Sequence, residues 1–286
     1  MKEEKNVKNV LRTLVFDGQV SLTLADTSET VKEGARLHKL SPASTVVLGK
    51  ALSAMTFASA CLKEETGEIS LSIKCDGAVG GIGVSGNRAL RLRGYIENTA
   101  IGSEAELVEL FGNGALTIIR DDGYNRPFVG ACALPKNGGV DEAFEEYYRI
   151  SEQLPTYLKT TVELNKNGEC VFAGIAVLQP LPFASEETLE KVKNTSLDEL
   201  LKKIKTLGVE ATANAQFDPD QSVWDLRKAE YKCNCSKEYL TRVLVPLGEA
   251  ELRRIVQEDG AVRIHCHYCN RDYEFTGQDV DGIFRK

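Results

Sequence analysis

Two short cysteine pairs near one end of the chain, Cys233-Asn-Cys235 and Cys266-His-Tyr-Cys269, decide how this sequence is organised. Two close pairs separated by a spacer long enough to fold are the arrangement that a tetrahedral zinc site with four cysteine ligands needs. We therefore predict one structural zinc ion per chain, held by Cys233, Cys235, Cys266 and Cys269. Because four thiolates fill the tetrahedral shell and leave no place for water or substrate, the spacing disfavours zinc hydrolase chemistry.

The surroundings of the second pair favour a zinc knuckle. Residues 262–265 are predicted to form a short strand, 270–271 a tight turn and 273–275 a return strand, which places Cys266 and Cys269 at a hairpin tip. His265 and His267 could substitute as ligands. We do not expect them to, because the four thiolates already complete the shell.

The segment that starts at Cys233 is small, about 54 residues, and at that size a hydrophobic core alone is marginal. Zinc binding worth roughly 10 to 16 kcal/mol would supply most of its folding free energy. We therefore expect the segment to unfold without metal. It contains eight Lys and Arg against nine Asp and Glu, so it lacks the basic surface of a nucleic-acid module.

The composition of the whole chain excludes several classes of protein. Its 286 residues are 42% hydrophobic and 27% charged, with a formal net charge of −7 and a pI near 5.3. This mixture is globular, and its acidity argues against nucleic acid as a partner. With no apolar signal segment at the N-terminus and no stretch near the ~18 apolar residues of a membrane span, we expect a cytosolic protein without a membrane partner.

The other four cysteines, Cys61, Cys75, Cys132 and Cys170, lie far apart in apolar or strand-like contexts. We interpret them as small packing residues.

The region before the cysteine pairs divides into two parts. Hairpin patterns at 13–25 and 161–178 and the alternation of 69–74 predict a β-rich core. They are accompanied by a buried helix over 46–62, with Ser41 as its cap and Pro42 in its first turn, and by another helix over 141–152. The glycine-dense stretch 77–86 lacks the Gly-Lys-Ser/Thr ending of a phosphate loop, so turns and close packing are expected there.

After Gln179-Pro-Leu-Pro182 the composition changes to one typical of a helical connector. Ser196 and Glu199 form a capping-box pattern, and an apolar stripe of Leu197, Leu200, Leu201 and Ile204 follows it. Residues 208–232 are expected to be irregular, of low local stability and held by their neighbours rather than by their own propensity. The prediction is an α+β protein: a β-rich N-terminal domain with helices (1–178), a helical linker (179–232) and a small C-terminal zinc domain with four cysteine ligands (233–286).

This organisation favours a redox switch. Zinc-bound thiolates react with oxidants, and each cysteine pair is close enough to form an internal disulfide, which no longer holds the metal as two thiolates did. Losing the metal would melt the C-terminal domain and expose the linker stripe together with the surface it covers. The output would be binding of other apolar surfaces, with no enzymatic reaction.

Several motifs resemble those of the 33 kDa chaperonin family, the redox-regulated heat-shock holdases of bacteria. The resemblance extends over essentially the full length. It is carried by His38-Lys-Leu-Ser-Pro42, Leu48-Gly-Lys-Ala-Leu52, Arg93-Gly-Tyr95, Ser151-Glu-Gln-Leu-Pro155, Gln179-Pro-Leu-Pro182 and the two cysteine pairs at their spacing.

The resemblance implies an N-terminal substrate-binding and dimerisation domain, a redox-sensitive linker and a zinc domain. It implies an ATP-independent chaperone that binds unfolding proteins, forms a homodimer on activation and hands its clients to an ATP-driven foldase. It further implies that the four C-terminal cysteines bind zinc when reduced. The resemblance also implies that on oxidation Cys233 pairs with Cys235 and Cys266 with Cys269, and that the distal pair responds first. The four additional cysteines depart from the family pattern.

Three alternatives remain open from the residues alone. Cys266 and Cys269 could form the Cys-x-x-Cys couple of a thiol oxidoreductase. The cysteine pairs could belong to a zinc ribbon that binds nucleic acid, or to a metal-stabilised structural domain that does not switch.

Overall fold

The computed structural model describes residues 7–102 and 110–284. The chain folds as two compact units, residues 1–231 and 232–286, which we call the N-terminal unit and the C-terminal unit. Both combine helices with sheet in the described residues, and the α+β prediction is confirmed.

The elements of the N-terminal unit follow in chain order. The strands are β1 (Val10–Val15), β2 (Val20–Asp26), β3 (Glu68–Cys75), β4 (Gly81–Asn87), β5 (Arg91–Ile96), β6 (Gly114–Asp121), β7 (Phe128–Ala133), β8 (Tyr157–Leu164), β9 (Cys170–Pro180), β10 (Asp225–Arg227) and β11 (Glu230–Tyr231). The helices are α1 (Ser28–His38), α2 (Pro42–Ala60), α3 (Val140–Tyr147), α4 (Glu186–Lys193), α5 (Leu197–Leu207) and α6 (Val209–Gln216).

The strands form two sheets with α2 between them. The first sheet has the order β10-β1-β2-β9-β8 and the second the order β11-β5-β4-β3-β6-β7. α2 contacts strands of both sheets, and its side chains join those of the sheets in one buried cluster. The two predicted hairpins are present, as β1 with β2 and β8 with β9.

α2 is the element that the sequence specifies most completely. The hydroxyl of Ser41 accepts a hydrogen bond from the Ser44 N–H at 3.3 Å, and Pro42 occupies the first helical position, as a capped helix requires. α2 is also long and apolar enough to cross a membrane by length and composition, so the expectation that no stretch reaches that limit is wrong. Since 83% of its apolar window is buried inside the protein, it is a core helix.

Helices α4, α5 and α6 cover the face of the first sheet opposite α2. Leu200, Leu201 and Ile204 of α5 are buried in a second cluster with side chains of β1, β2 and β9. The Ser196 hydroxyl caps the helix through the Glu199 N–H at 3.3 Å. The apolar stripe predicted from the sequence therefore packs on the sheet.

Two local expectations are only partly correct. Residues 208–232 contain α6 and two short strands, so they are less irregular than expected, but the strands are held by neighbours as expected, β10 on β1 and β11 on β5. The glycine-dense stretch turns at 77–80 and then forms strand β4. The close packing expected there is present, since a Cβ at Gly83 would lie 2.4 Å from the Tyr95 ring. The predicted 141–152 helix is α-helical to Tyr147 and continues as one π-helical turn, Tyr148–Glu152.

The C-terminal unit packs three helices on a hairpin. Its elements are α7 (Lys237–Leu244), α8 (Glu249–Asp259), β12 (Val262–Cys266), β13 (Arg271–Phe275) and α9 (Gly277–Phe284). Its buried core is small and consists of Leu240, Leu244, Leu252, Val262, Phe275 and Val280. A core of that size is marginal for independent folding and favours an additional cross-link or metal.

Candidate metal centre

The tip of the β12–β13 hairpin positions the second cysteine pair. Cys266 ends β12, and its carbonyl accepts hydrogen bonds from the N–H groups of Cys269 at 3.3 Å and Asn270 at 2.8 Å. Asn270 adopts a left-handed conformation with φ of 53°, which asparagine tolerates better than most residues. The chain therefore reverses tightly, and both sulfurs of the pair lie at the tip.

The first pair lies in an extended segment immediately before α7. The hydroxyl of Ser236 accepts a hydrogen bond from the Tyr239 N–H at 3.1 Å, which fixes the start of α7 next to Cys235. The backbone N–H of Cys235 also donates to the Cys233 sulfur. The irregular backbone between β11 and α7 thus brings two sulfurs to one side.

All four predicted sulfurs meet at one place, within 4.8 Å of one another. Cys233 Sγ lies 3.3 Å from Cys235 Sγ and 3.7 Å from Cys266 Sγ, and Cys235 Sγ lies 3.1 Å from Cys269 Sγ. Zinc–sulfur bonds of about 2.3 Å imply sulfurs about 3.8 Å apart in a tetrahedron. The donor set therefore fits zinc in number, softness and separation. No other group of three or more potential ligands was found in residues 7–102 and 110–284.

The electrostatics of the four-sulfur cluster favour a cation. Burial, together with the nearby sulfurs, raises the pKa of Cys233 to about 11 and that of Cys269 well above its ordinary value. Burial also raises the pKa of Cys235, but hydrogen bonds with Tyr273 and the other sulfurs outweigh it and bring the pKa down to about 7. Four thiolates so close together need a compensating positive charge, which a divalent metal supplies.

Tyr273 is the neighbour that sequence reasoning missed. It lies on β13, and its hydroxyl is 3.1 Å from Cys235 Sγ and donates to the Cys235 carbonyl at 3.3 Å. It therefore fixes the first cysteine pair against the hairpin that carries the second. A tyrosine four residues after Cys269 was visible in the sequence, but only the strand register places its hydroxyl at the cluster.

The two histidines of the hairpin lie outside the sulfur cluster. His265 Nδ1 is 2.7 Å from Asp272 Oδ1 across the hairpin, and its ring contacts that of His267. Neither belongs to the candidate metal-binding group.

The remaining four cysteines all lie in the N-terminal unit. Cys132 and Cys170 are buried, and Cys61 and Cys75 are partly buried. Burial raises the pKa of each of these thiols, that of Cys170 to about 11. Because the thiolate is the reactive form, these side chains are poorly suited to reaction with oxidants at neutral pH.

The class of protein follows from comparison of this arrangement with known proteins. The chain matches the family described as Hsp33 protein over residues 8–276. It is 31% identical to the 33 kDa chaperonin of Acetivibrio thermocellus, with 95% of each chain covered. It is 30% identical to the 33 kDa chaperonin of Bacillus licheniformis, with 96% of this chain and 98% of the relative covered.

A solved structure has the same fold. The crystal structure of the 33 kDa chaperonin (heat shock protein 33 homolog) from Thermotoga maritima superposes with a TM-score of 0.81 at 24% identity, covering 96% of this chain and 97% of that one. The chain belongs to the Hsp33 family, a family of chaperones. The resemblance inferred from its motifs is confirmed.

Proposed function

We propose that this chaperone is an ATP-independent holdase that is switched on by oxidation. In the reduced state Cys233, Cys235, Cys266 and Cys269 hold one zinc ion, and the protein is inactive. The observation that carries the proposal is the meeting of these four sulfurs in a unit whose own hydrophobic core is small. Zinc bound by these four sulfurs would keep them as thiolates and would join the segment before α7 to the tip of the β12–β13 hairpin.

Oxidation removes the donor set. When the two thiolates of a pair form a disulfide, two electrons are released. One molecule of hydrogen peroxide, the oxidant, accepts these electrons together with two protons and gives two water molecules. We propose the pairings Cys233 with Cys235 and Cys266 with Cys269, with the distal pair reacting first. A disulfide sulfur carries no charge, so two such bonds leave no thiolate to hold the metal.

The consequence for folding follows from magnitudes. Zinc contributes roughly 10 to 16 kcal/mol in small structural sites, whereas an ordinary domain is stable by only about 5 to 15 kcal/mol. The C-terminal unit, whose main core cluster contains six buried side chains among the described residues, therefore unfolds on oxidation. The linker joins this unit directly in the chain, so the residues just before Cys233 become less ordered as well.

The released linker would uncover an apolar surface. Leu200, Leu201 and Ile204 are buried against the first sheet, and Lys205 of α5 is joined to Glu163 of β8 at 2.6 Å. Detachment exposes both faces of this contact, and a large exposed apolar patch binds other exposed apolar surfaces. Unfolding proteins present such surfaces.

The proposal includes the division of labour along the chain. Residues 1–178 would bind clients and dimerise on activation, 179–232 would act as the linker, and 233–286 as the switch. Clients would pass to an ATP-driven foldase, and the protein would act in the cytosol without catalysing a reaction.

The test follows metal and client together. Reduced protein is treated with peroxide under mild heat while zinc release, proteolysis of residues 233–286 and light scattering from an aggregating client are recorded. We expect all three to change in parallel. Replacing Cys266→Ser should abolish tight zinc binding. The control Cys75→Ser, whose hydroxyl would still donate to the Gly80 carbonyl as the thiol does at 3.1 Å, should behave like the parent. Zinc release without a gain in client binding would contradict the proposal.

A further inference from the structure

One short segment closes an edge of each sheet in the N-terminal unit. β10 lies antiparallel on β1 at one edge of the first sheet, and β11 lies parallel on β5 at one edge of the second. We call residues 225–231, which contain both strands, the strap. The strap is the last part of the linker and precedes Cys233 by two residues.

Main-chain hydrogen bonds hold the strap on both edges. The Asn9 N–H donates to the Arg227 carbonyl at 2.9 Å, and the Glu230 N–H donates to the Leu90 carbonyl at 3.0 Å. Between the two strands, the Ala229 N–H donates to the Asn9 side chain at 2.8 Å. If the strap detaches, the edges of β1 and β5 lose these partners, and unpaired strand edges readily accept another strand.

Side chains of the strap also hold it in place. The Arg227 guanidinium donates to the carbonyls of Ala60 at 2.8 Å and Arg88 at 3.0 Å. The Tyr231 hydroxyl donates to the Gly94 carbonyl at 2.8 Å and accepts from the Gly94 N–H at 3.2 Å. With paired strands of only three and two residues, the strap is a short closure whose loss leaves the longer strands of both sheets intact.

We propose that the edges of β1 and β5, once the strap has detached, bind clients by pairing with an extended segment of an unfolded protein. This inference rests on the proposed holdase function and names its client as an unpaired, strand-forming segment. Binding of this kind takes its affinity from main-chain hydrogen bonds. Such bonds are available to every polypeptide, which suits a chaperone whose clients share no sequence.

The strap itself shows what these edges accept. Four of its seven residues are charged (Asp225, Arg227, Lys228 and Glu230), so pairing at these edges does not depend on an apolar sequence. Acidic side chains are favoured near β5, since Glu230 lies 3.8 Å from Arg91. A second copy of the chain fits poorly, because self-pairing of β5 would bring Arg91 and Arg93 close to their like-charged counterparts.

The test uses the full-length, reduced, zinc-loaded protein. The double variant Arg227→Ala/Tyr231→Phe loosens the strap, and the matched control Arg36→Ala/Tyr124→Phe changes two exposed side chains of the same types elsewhere in the N-terminal unit. The probe is a fluorescent eight-residue peptide of alternating Thr and Val with one Glu. A second probe has the same sequence N-methylated at four consecutive central residues, which removes donors from both of its edges.

We expect the strap variant to bind the first probe at least tenfold more tightly than the parent or the control does. The N-methylated probe should lose at least tenfold in affinity. Bound probe should slow hydrogen exchange at backbone amides of β1 and β5. Equal binding of both probes would overturn the inference. So would a variant whose strap amides exchange rapidly without any gain in probe binding, or one that dimerises through these edges and excludes the probe.

The outcome is separable from that of the proposed function. If oxidised parent protein fails to suppress aggregation, the holdase proposal fails whatever the variant does. If it suppresses aggregation but both probes compete equally for the client site, only the assignment to strand edges fails.

Discussion

At the scale of single residues, the carboxyl group of Glu145 works against the stability of the N-terminal unit. It is partly buried on α3, and loss of hydration, followed by repulsion from Asp141 and Glu142, raises its pKa. The Leu158 N–H, which donates to it at 3.0 Å, offsets this only in part. Because the folded state binds the proton more tightly than the unfolded state, stability falls as the pH rises from the unfolded pKa through the folded pKa.

Glu145→Gln should therefore stabilise the protein at pH 7, since it removes the charge and keeps an acceptor for Leu158. The gain should vanish below about pH 4, where the unfolded carboxyl is also protonated. Thermal unfolding of parent and variant across this pH range provides the measurement. The control is Glu187→Gln, because Lys191 lowers the pKa of that exposed carboxyl and its loss should not stabilise. A lower melting temperature for Glu145→Gln at pH 7 would contradict the prediction.

The candidate site was predictable from the sequence as far as its chemistry is local. The spacing of the two cysteine pairs predicts all four ligands, Cys233, Cys235, Cys266 and Cys269, because each pair needs only one local turn of the chain. Tyr273 was not predictable, since its place beside Cys235 depends on the register of β12 with β13 and on how the extended segment before α7 lies against them.

At the scale of elements, two helical glycines illustrate opposite effects of packing. Gly49 lies in α2, where an added Cβ would come within 2.8 Å of Val31 and Val162 side-chain atoms. Both neighbours are β-branched and stiff, so they yield little. Gly282 lies in α9 with nothing within 4 Å of the same position.

Gly49→Ala should destabilise the N-terminal unit by about 1 to 3 kcal/mol, because overpacking outweighs the better helix propensity of alanine. Gly282→Ala, the matched control, should stabilise the C-terminal unit by up to about 1 kcal/mol. Chemical denaturation followed separately for each unit tests both signs. Stabilisation by Gly49→Ala would mean that α2 moves aside more easily than its buried position indicates.

Elements with strong local rules were predicted well, and those that depend on distant partners were not. Ser41 and Pro42 start α2 by rules internal to the helix. No local pattern predicts β10 and β11, which are only three and two residues long. They become strands because they can pair with the edges of β1 and β5. Strand β4 was not predicted, because its glycines are typical of turns. At Gly83 a glycine is needed, because the nearby Tyr95 ring leaves no room for a Cβ.

At the scale of the whole molecule, the two units differ in how much folding stability they can lose before they unfold. Leu252 is fully buried in the small core of the C-terminal unit, whereas Leu247 in the same unit is 54% exposed. Leu252→Ala should lower the free energy of unfolding of the C-terminal unit by about 2 to 5 kcal/mol. That is a large share of the stability of a unit with so small a core. Leu247→Ala should change stability by about 0.5 kcal/mol or less.

The affinity for zinc should report the different effects of these two substitutions on stability, because metal binding and folding are linked in such a unit. Competition with a chromogenic chelator should show weaker zinc binding for Leu252→Ala and parental binding for Leu247→Ala. Unchanged affinity in both variants would show that the metal holds its four ligands without the surrounding core.

The arrangement of the four sulfurs also determines which cross-link would leave the most residual order in the C-terminal unit. Cys235 and Cys269 lie 3.1 Å apart, closer than Cys235 and Cys233 at 3.3 Å. A bond between Cys235 and Cys269 would close a loop of 35 residues and restrict the unfolded chain by about 4 kcal/mol. A bond within either local pair closes a loop of only three or four residues and restricts the unfolded chain by about 2 kcal/mol. Neither value replaces the roughly 10 to 16 kcal/mol that zinc would contribute, so oxidation loosens this unit with either pairing. The loosening is greatest when each sulfur joins its neighbour in sequence and not its neighbour in space.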